Sequence, residues 1–172
     1  MNTSQQYFQL NVGFVAQQGA GYSREFPLEL DQIQLDSDLT LYDLTGKITI
    51  SRTSEGLLTQ VILHASADAT CSRCLEACIQ SLVIEFAELF TFASHAKPDT
   101  EFIFPENGII DLTPLVREYM LLEFPINPIC KPDCKGLCPE CGYNFNLGSC
   151  GHSNVSIDPR FEMLKGFLGG DE

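Results

Sequence analysis

The sequence predicts an α+β fold in which an antiparallel sheet, open or barrel-like, carries two short helices and zinc knuckles. Three observations lead to this prediction. Apolar residues alternate with polar ones over much of the first 92 residues, as in strands with one buried face. Two stretches begin with a polar residue followed by proline, a pair that starts helices. Cysteines recur in pairs at the spacing of tight metal-binding turns.

Size and composition indicate a chain that needs no disulfide staples. It has 172 residues, of which 44% are hydrophobic, enough for a core. No apolar run approaches the length of a membrane span, so we expect no membrane contact. Met1–Tyr22 contains no Lys or Arg and resembles neither a secretion signal nor a transit peptide. We therefore expect a bacterial cytoplasmic protein, in which paired cysteines indicate metal or redox chemistry.

The net charge of −13 is unevenly distributed. Residues 1–129 hold 17 acidic and 6 basic residues, whereas residues 130–168 hold 4 of each. An acidic body repels RNA and favours a basic protein partner, while the cysteine-rich end is the less repulsive one. A merely solvated acidic surface is the simpler interpretation. We expect residues 1–129 to form a mainly β body with a central helix, and residues 130–172, with the cysteines and a C-terminal helix, to pack on it as one domain.

The first strands are predicted from alternation. Residues 6–16 read as a strand with Phe8, Leu10, Val12 and Phe14 on one side. The assignment of residues 26–35 is open. Residues 39–51 fit two extended pieces, with a kink or turn at residues 43–46.

A long hairpin follows, predicted from two strands over residues 57–70 and 78–92. The buried residues expected on these strands are Leu57, Thr59, Val61, Leu63, Ala65, Leu82, Ile84, Phe86 and Leu89. Cys71-Ser-Arg-Cys74 lies between the strands and therefore caps the hairpin. A zinc knuckle suits this place because a tight turn points thiolates and backbone amides inward together.

Two helices are predicted after a loop over residues 94–108. In the first, Thr113 caps, Pro114 occupies the first turn and Pro125 ends the helix. Its apolar stripe consists of Leu115, Val116, Tyr119, Met120 and Leu122. The second begins at Asp158-Pro159 and has Phe161, Leu164 and Leu168 on one face, which we expect to pack on the sheet.

Eight residues are candidate metal ligands, enough for two tetrahedral Zn²⁺ sites. They are Cys71, Cys74, Cys130, Cys134, Cys138, Cys141, Cys150 and His152. Cys78 is left over and is interpreted as a small buried hydrophobe. Such closed, thiolate-rich sites are structural, because catalytic zinc keeps an open position. His64 and His95 have no companions, and no phosphate-binding or hydrolase motif is present in the sequence, so we expect no catalytic residues and no small-molecule substrate.

The eight candidate ligands can be assigned to two metal ions in two ways. In the favoured one, the last four ligands form a local site, and the distant Cys71 and Cys74 join Cys130 and Cys134. Closing a loop of more than fifty residues would stabilise the fold most. In the alternative, Cys71, Cys74 and the 138/141 pair share one metal.

Two other functions fit the same cysteines. Cys138-Pro-Glu-Cys141-Gly would suit a rubredoxin-like iron electron carrier. Cys71 and Cys74 could instead form a CxxC thiol-redox pair. Metal content and free-thiol titration distinguish these alternatives from zinc.

Several stretches together resemble the YceD-like family, the large ribosomal RNA subunit accumulation proteins. The resemblance covers about residues 57–168 and rests on Cys71-Ser-Arg-Cys74-Leu, Asp111-Leu, Leu122-Glu-Phe-Pro125, Cys134-Lys-Gly-Leu-Cys138-Pro-Glu-Cys141-Gly-Tyr-Asn-Phe-Asn and Asp158-Pro-Arg-Phe-Glu-Met-Leu-Lys165. It implies a non-enzymatic factor of bacteria and plastids that supports accumulation of 23S ribosomal RNA. Its expected partner is the large-subunit precursor, through 23S rRNA, a basic ribosomal protein or both. The family ends its block with C-x-C, whereas this chain has Cys150-Gly-His152, which leaves the last ligand open.

Overall fold

Four long antiparallel strands dominate the fold, which a computed structural model describes over residues 5–35 and 39–152. They follow one another as a meander in the order β2-β3-β4-β5. In chain order the elements are α1 (Gln5–Phe8), β1 (Gln9–Asn11), α2 (Gly13–Ala16), β2 (Ser23–Gln34), β3 (Thr40–Arg52), β4 (Gly56–Thr70), β5 (Ala77–Thr91), β6 (Ile109–Asp111) and α3 (Thr113–Glu123). The predicted α+β class is thus found, and the short strands β1 and β6 pair with each other.

The principal sheet is open, so the barrel-like option is wrong for the described residues. β2 pairs only with β3, and β5 is the last strand on the other side. Helices α2 and α3 contact the strands of this sheet. A sheet whose apolar face is covered by helices buries that face without closing on itself. None of the helices in the described ranges has the length and apolarity needed to cross a membrane.

The hairpin of β4 and β5 has the faces that alternation predicts. Register runs without a break from the pair of Gly56 and Thr91 to the pair of Thr70 and Ala77. The predicted inward residues of β4 are all buried, as are Leu82, Ile84 and Phe86 of β5. Phe90 is buried where Leu89 was expected, and Leu89 is half-buried. Residues 71–76 form the tip, which carries the first cysteine pair.

The predicted kink in residues 39–51 is a β-bulge within one continuous strand. The register between β3 and β4 shifts between Tyr42 and Thr45, and Asp43 has φ 50°. Gly46 follows at φ 147°, and a Cβ there would lie 2.1 Å from the Ile62 carbonyl oxygen. A bulge adds a residue and bends the strand without ending its pairing.

The single strand predicted over residues 6–16 is wrong. Only β1 is extended, and short helices lie on either side of it. Phe8, Val12 and Val15 are fully buried, whereas Phe14 is 43% exposed. Phe8 ends α1, Val12 directly precedes α2 and Val15 lies within it, so burial here follows the change from one short element to the next rather than a single alternating face.

Helix α3 has the predicted bounds but differs at two residues. Thr113 does not cap the helix; its N–H instead donates to Asp111 Oδ1 at 2.9 Å, and an acidic group there suits the helix N-terminus. Leu122, assigned to the apolar stripe, is 74% exposed. Val116 and Met120 are buried, and Tyr119 stacks on Phe86 at 4.2 Å between ring centroids. The helix predicted from Asp158 lies outside the described residues.

Candidate metal centres

The hairpin tip forms a tight knuckle around the first cysteine pair. The Leu75 N–H donates to the Cys71 carbonyl at 2.9 Å, and the Cys71 N–H donates to the Glu76 carbonyl at 2.9 Å. Leu75 has φ 58°, a left-handed conformation that is unfavourable for a residue with a Cβ. This reversal brings Cys71 and Cys74 to one side of the tip, where both are buried.

The second knuckle repeats this backbone pattern. The Gly142 N–H donates to the Cys138 carbonyl at 2.9 Å, and the Cys138 N–H donates to the Tyr143 carbonyl at 2.8 Å. Gly142 occupies the position equivalent to Leu75, with φ 72°. Glycine adopts this conformation without a steric penalty. The two knuckles therefore share one backbone design, although one starts from a hairpin and the other from a loop.

Four cysteines from distant parts of the chain meet at the hairpin tip. Cys71 Sγ lies 3.9 Å from Cys134 Sγ, and Cys74 Sγ lies 3.6 Å from Cys130 Sγ. All four sulfurs lie within 4.8 Å of one another. We call this group the clasp cluster. It combines the four cysteines that the favoured division of ligands joins.

Backbone contacts hold the C-terminal segment against the hairpin tip. The Ser72 N–H donates to the Pro128 carbonyl at 2.8 Å, and Arg73 Nη1 donates to the Cys134 carbonyl at 3.1 Å. Gly136 has φ 75°, and a Cβ there would lie 3.2 Å from the Arg73 carbonyl oxygen. The close approach and the positive φ explain glycine at this position. The clasp cluster is therefore positioned by hydrogen bonds as well as by its sulfurs.

Asn146 supports the clasp cluster from outside the set of candidate ligands. Its Nδ2 donates to Cys134 Sγ at 3.4 Å and to Asn144 Oδ1 at 2.8 Å, and its Oδ1 accepts from the Lys135 N–H at 3.0 Å. The bond to sulfur is the leading cause of a lowered pKa at Cys134. Sequence reasoning missed this residue. The pair of asparagines in Tyr-Asn-Phe-Asn was its only signal, since such side chains bond nearby backbone and sulfur.

Three cysteines and a histidine form a second group, which we call the local cluster. It consists of Cys138, Cys141, Cys150 and His152, whose ligand atoms lie within 4.8 Å of one another. Cys138 Sγ is 3.8 Å from His152 Nδ1. The other ring nitrogen of His152, Nε2, faces away from Cys138 and lies 3.7 Å from Glu140 Oε2. Cys138 is buried, whereas Cys141 and His152 are exposed, so this cluster is more open than the clasp cluster.

The thiols of both clusters have strongly perturbed acidity. The pKa of Cys71 is lowered to about 6, chiefly because the Cys74 N–H donates to its sulfur. The pKa of Cys138 is lowered to about 6, chiefly through the Cys141 N–H. The pKa of Cys130 is raised to about 12 by desolvation and by its bonds with Cys134 and Cys74. Cys130 is exposed as a residue, but its sulfur faces the other three sulfurs, which accounts for that desolvation. Several thiolates can coexist at such distances only with a compensating cation.

Cys78 and two nearby basic residues belong to neither cluster. Cys78 is half-buried, belongs to neither cluster, and accepts a long contact of 3.6 Å from Gln80 Nε2. Two basic residues beside the clusters contact oxygen atoms: Lys131 lies 3.9 Å from Asp133, and Arg73 donates to the Cys134 carbonyl. Asn146 is a side chain outside the candidate ligands that contacts a cluster sulfur.

Comparison with known proteins gives a consistent set of relatives. The model of the family described as "Large ribosomal RNA subunit accumulation protein YceD" matches residues 59–168, which include all eight candidate ligands. An uncharacterized protein of Mycobacterium tuberculosis (strain ATCC 25618 / H37Rv) is 33% identical over 144 residues, covering 81% of this chain and 68% of the relative. Uncharacterized protein YlbN of Bacillus subtilis (strain 168) is 33% identical over 106 residues, covering 59% of this chain and 60% of the relative.

A plant protein shares a shorter stretch. The Zea mays protein named "Large ribosomal RNA subunit accumulation protein YCED homolog 1, chloroplastic" is 42% identical over 40 residues, covering 23% of this chain and 14% of the relative. No solved structure matches the chain.

Proposed function

The chain belongs to the YceD family of large ribosomal RNA subunit accumulation proteins, and from this premise we propose that it is a non-enzymatic, metal-binding factor that supports accumulation of 23S ribosomal RNA and assembly of the large ribosomal subunit. The names of the family and of the Zea mays relative carry the ribosomal part of this proposal. The convergence of Cys71 and Cys74 with Cys130 and Cys134 carries the metal-binding part.

We propose that each cluster holds one Zn²⁺. Sulfurs that bind one tetrahedral zinc at about 2.3 Å lie about 3.8 Å from each other. Two of the sulfur–sulfur distances in the clasp cluster, Cys71–Cys134 at 3.9 Å and Cys74–Cys130 at 3.6 Å, bracket that value, and all of them are within 4.8 Å. In the local cluster, His152 Nδ1 would be the fourth ligand, with Glu140 beside the other ring nitrogen to orient it, as is common for zinc-bound histidine.

The proposed role of the metals is structural. Each cluster offers four protein ligands, the complete set for tetrahedral zinc, so no coordination position is left for a substrate. The clasp would tie residues 130–172 to the β body, and this supports one domain rather than two. The ligand chemistry therefore favours a binding factor over an enzyme.

The clasp cluster alone also suits iron, because four thiolates hold the iron of a rubredoxin-like electron carrier. The histidine in the local cluster favours zinc for that group. Purified chain containing about two zinc per molecule and no visible absorbance supports the proposal. A red protein with an iron absorbance would replace it with the electron carrier.

The proposed partner is the large-subunit precursor in the bacterial cytoplasm, through 23S rRNA, a basic ribosomal protein or both, with neither a membrane nor a small molecule involved. The acidic body favours the protein contact, because it repels the RNA backbone. The near-neutral residues 130–168 are the part of the chain that repels RNA least.

A depletion experiment tests the ribosomal role. Cells that lack the chain should accumulate less 23S rRNA relative to 16S rRNA, and the intact chain should co-sediment with large-subunit precursors at low salt. Resupplying Cys78→Ser should restore the 23S level, whereas Cys71→Ser should restore it poorly. An unchanged 23S level together with no co-sedimentation would reject the proposed function.

A further inference from the structure

Helix α3 presents an apolar face to solvent as well as one to the core. Val116 and Met120 are buried against the sheet. Pro114, Leu121 and Leu122 line one groove on the outer side of the helix, where Leu121 and Leu122 follow Pro114 by seven and eight positions. Leu121 is 40% exposed and Leu122 is 74% exposed. Two leucines on the solvent side of a helix are a surface that a partner could cover.

A further exposed apolar side chain follows the end of the helix. Ile126 is 97% exposed, three positions after the last helical residue. We call Pro114, Leu121, Leu122 and Ile126 the α3 patch. Fully burying one such aliphatic side chain contributes about 1.5–3 kcal/mol, so the patch offers a partner considerable binding energy.

Two shallow grooves meet at Leu121. One lies along the outer side of the helix and is lined by Pro114, Arg117, Glu118, Leu121 and Leu122. The other lies between the helix end and the sheet and is lined by Leu39, Thr40, Ala67, Asp68, Leu121 and Phe124. Paired grooves beside an apolar ridge suit the anchoring side chains of an amphipathic segment.

Acidic groups surround the patch. Glu118 lines the outer groove, Asp68 lines the inner one, and Glu123 is exposed at the helix end. Glu88 of β5 accepts a hydrogen bond from the hydroxyl of Tyr119 on α3 at 3.1 Å. Glu88, Glu118 and Glu101 all raise the pKa of Tyr119, the bond to Glu88 most, so each of these carboxylates lies near that hydroxyl. A basic occupant would therefore meet complementary charge on several sides.

The charges decide among possible occupants. A second copy would bring its own Glu118 and Glu123 to the same contact, between chains that each carry −13. An RNA strand would meet the same repulsion. A segment rich in Lys and Arg gains from the acidic rim, and its apolar side chains cover the leucines.

We propose that the α3 patch docks a basic, amphipathic protein segment, whose apolar side chains enter the two grooves and whose Lys and Arg side chains face the acidic rim. This inference rests on the proposed function for one point only, that the segment belongs to a ribosomal protein of the large-subunit precursor. The docking surface itself is argued from the residues of α3 and needs no metal.

The test uses the full chain and a labelled amphipathic helical peptide of leucine and lysine, about 18 residues long. Fluorescence anisotropy should detect binding that weakens with salt. Leu122→Asp should weaken it about tenfold or more, as loss of an interface anchor does. Leu147→Asp is the matched control, because Leu147 is 76% exposed but lies in the cysteine-rich segment, and it should leave the affinity nearly unchanged.

Four results would overturn the inference. Equal weakening by Leu122→Asp and Leu147→Asp would mean that the peptide binds by net charge alone. Equal binding of a peptide of the same composition with its leucines spread around the helix would mean that no groove is used. Binding of single-stranded RNA that Leu122→Asp abolishes would assign the patch to RNA. A thermal midpoint lowered by Leu122→Asp but not by Leu147→Asp would show that this chain, or a second copy, already covers the patch.

The two proposals fail separately. Peptide binding is measured without ribosomes, so its absence leaves the depletion experiment to decide the ribosomal role. If depletion leaves 23S rRNA unchanged while Leu122→Asp still abolishes peptide binding, the patch remains a docking surface for a basic partner outside the ribosome.

Discussion

Cys74 Sγ lies 3.6 Å from Cys130 Sγ, although 56 residues separate the two in sequence. The hairpin of β4 and β5 carries the first sulfur to its tip, and the segment after α3 carries the second to the same place. A metal bound here would therefore link the sheet to the segment that follows the helix.

Removing one sulfur from the clasp should release one metal and loosen the fold. By the loop-closure relation, linking residues this far apart stabilises by about 4 kcal/mol, and Cys74→Ser should lose much of it. Metal analysis should show one zinc instead of two, and thermal unfolding should occur at a lower temperature. Cys78→Ser, at the half-buried cysteine outside both clusters, should keep two zinc. Loss of both zinc, or of none, from Cys74→Ser would contradict two independent sites.

The shared backbone of the two knuckles predicts opposite effects of glycine. Leu75→Gly should raise the free energy of unfolding by about 1 kcal/mol, because it removes a Cβ from a left-handed residue. Leu75 is 65% exposed, so little burial is lost. Gly142→Ala should lower the free energy of unfolding by about the same amount, because it adds a Cβ to a left-handed residue. Denaturant unfolding of the zinc-loaded chain measures both.

Leu147→Gly is the control for the glycine substitutions. Leu147 is similarly exposed and lies outside the left-handed region, so glycine there should destabilise. If Leu75→Gly destabilised as much as Leu147→Gly, the conformation of the first knuckle would differ from that described.

Asn146 should tune the zinc affinity of the clasp without binding metal itself. Asn146→Ala removes the donor to Cys134 Sγ, so the pKa of that thiol should rise and protons should compete better with zinc. Loss of such a supporting group typically weakens metal binding about 10–100-fold. Competition with a chromophoric chelator measures the change. Asn107→Ala, at an asparagine outside the cysteine-rich segment that accepts from the nearby Ile109 N–H, should leave zinc affinity unaltered.

Zinc affinity of the clasp should rise with pH across the neutral range. The Cys130 thiol, with its pKa raised to about 12, is protonated in the metal-free chain and must lose that proton to bind zinc. The logarithm of the affinity should therefore increase with pH with a slope of at least about one between about pH 6 and 8. A flat profile in chelator competition would mean that Cys130 is not a ligand.

The same shifts act in opposite directions on the stability of the metal-free chain. Cys71 has a folded pKa of about 6, below its usual 9.0, so its contribution is present above pH 9 and is lost as pH falls toward 6. Cys130 has a folded pKa above its usual 9.0, so its contribution is present below pH 9 and is lost as pH rises toward 12. The free energy of unfolding of the metal-free chain should therefore change with pH both below and above pH 9. Denaturant unfolding with a chelator present measures this change.

Local patterns were predictable where one physical rule dominated. Buried and exposed residues alternate over most of β4 and β5 because one face of the hairpin is buried and the other faces solvent, and alternation of that kind is visible in sequence. Residues 6–16 alternate too, but the chain passes from α1 through β1 to α2 within them. Packing against the rest of the core, rather than alternation, decides that Phe8, Val12 and Val15 are buried. Leu122 fits the stripe of α3 by spacing, seven positions after the buried Leu115, yet it is 74% exposed.

The sequence by itself determined the types of the candidate ligands, the spacing of the cysteines in each knuckle, the hairpin that carries the first knuckle, and the family of the chain. Spacing and residue chemistry are local, so they can be read without coordinates. Only the tertiary structure decided that Cys130 and Cys134 meet the hairpin tip, that Asn146 touches a sulfur, and that Leu121 and Leu122 of α3 are exposed to solvent. Each of these depends on how distant segments pack, and packing free energy is shared among many contacts that no short stretch of sequence contains.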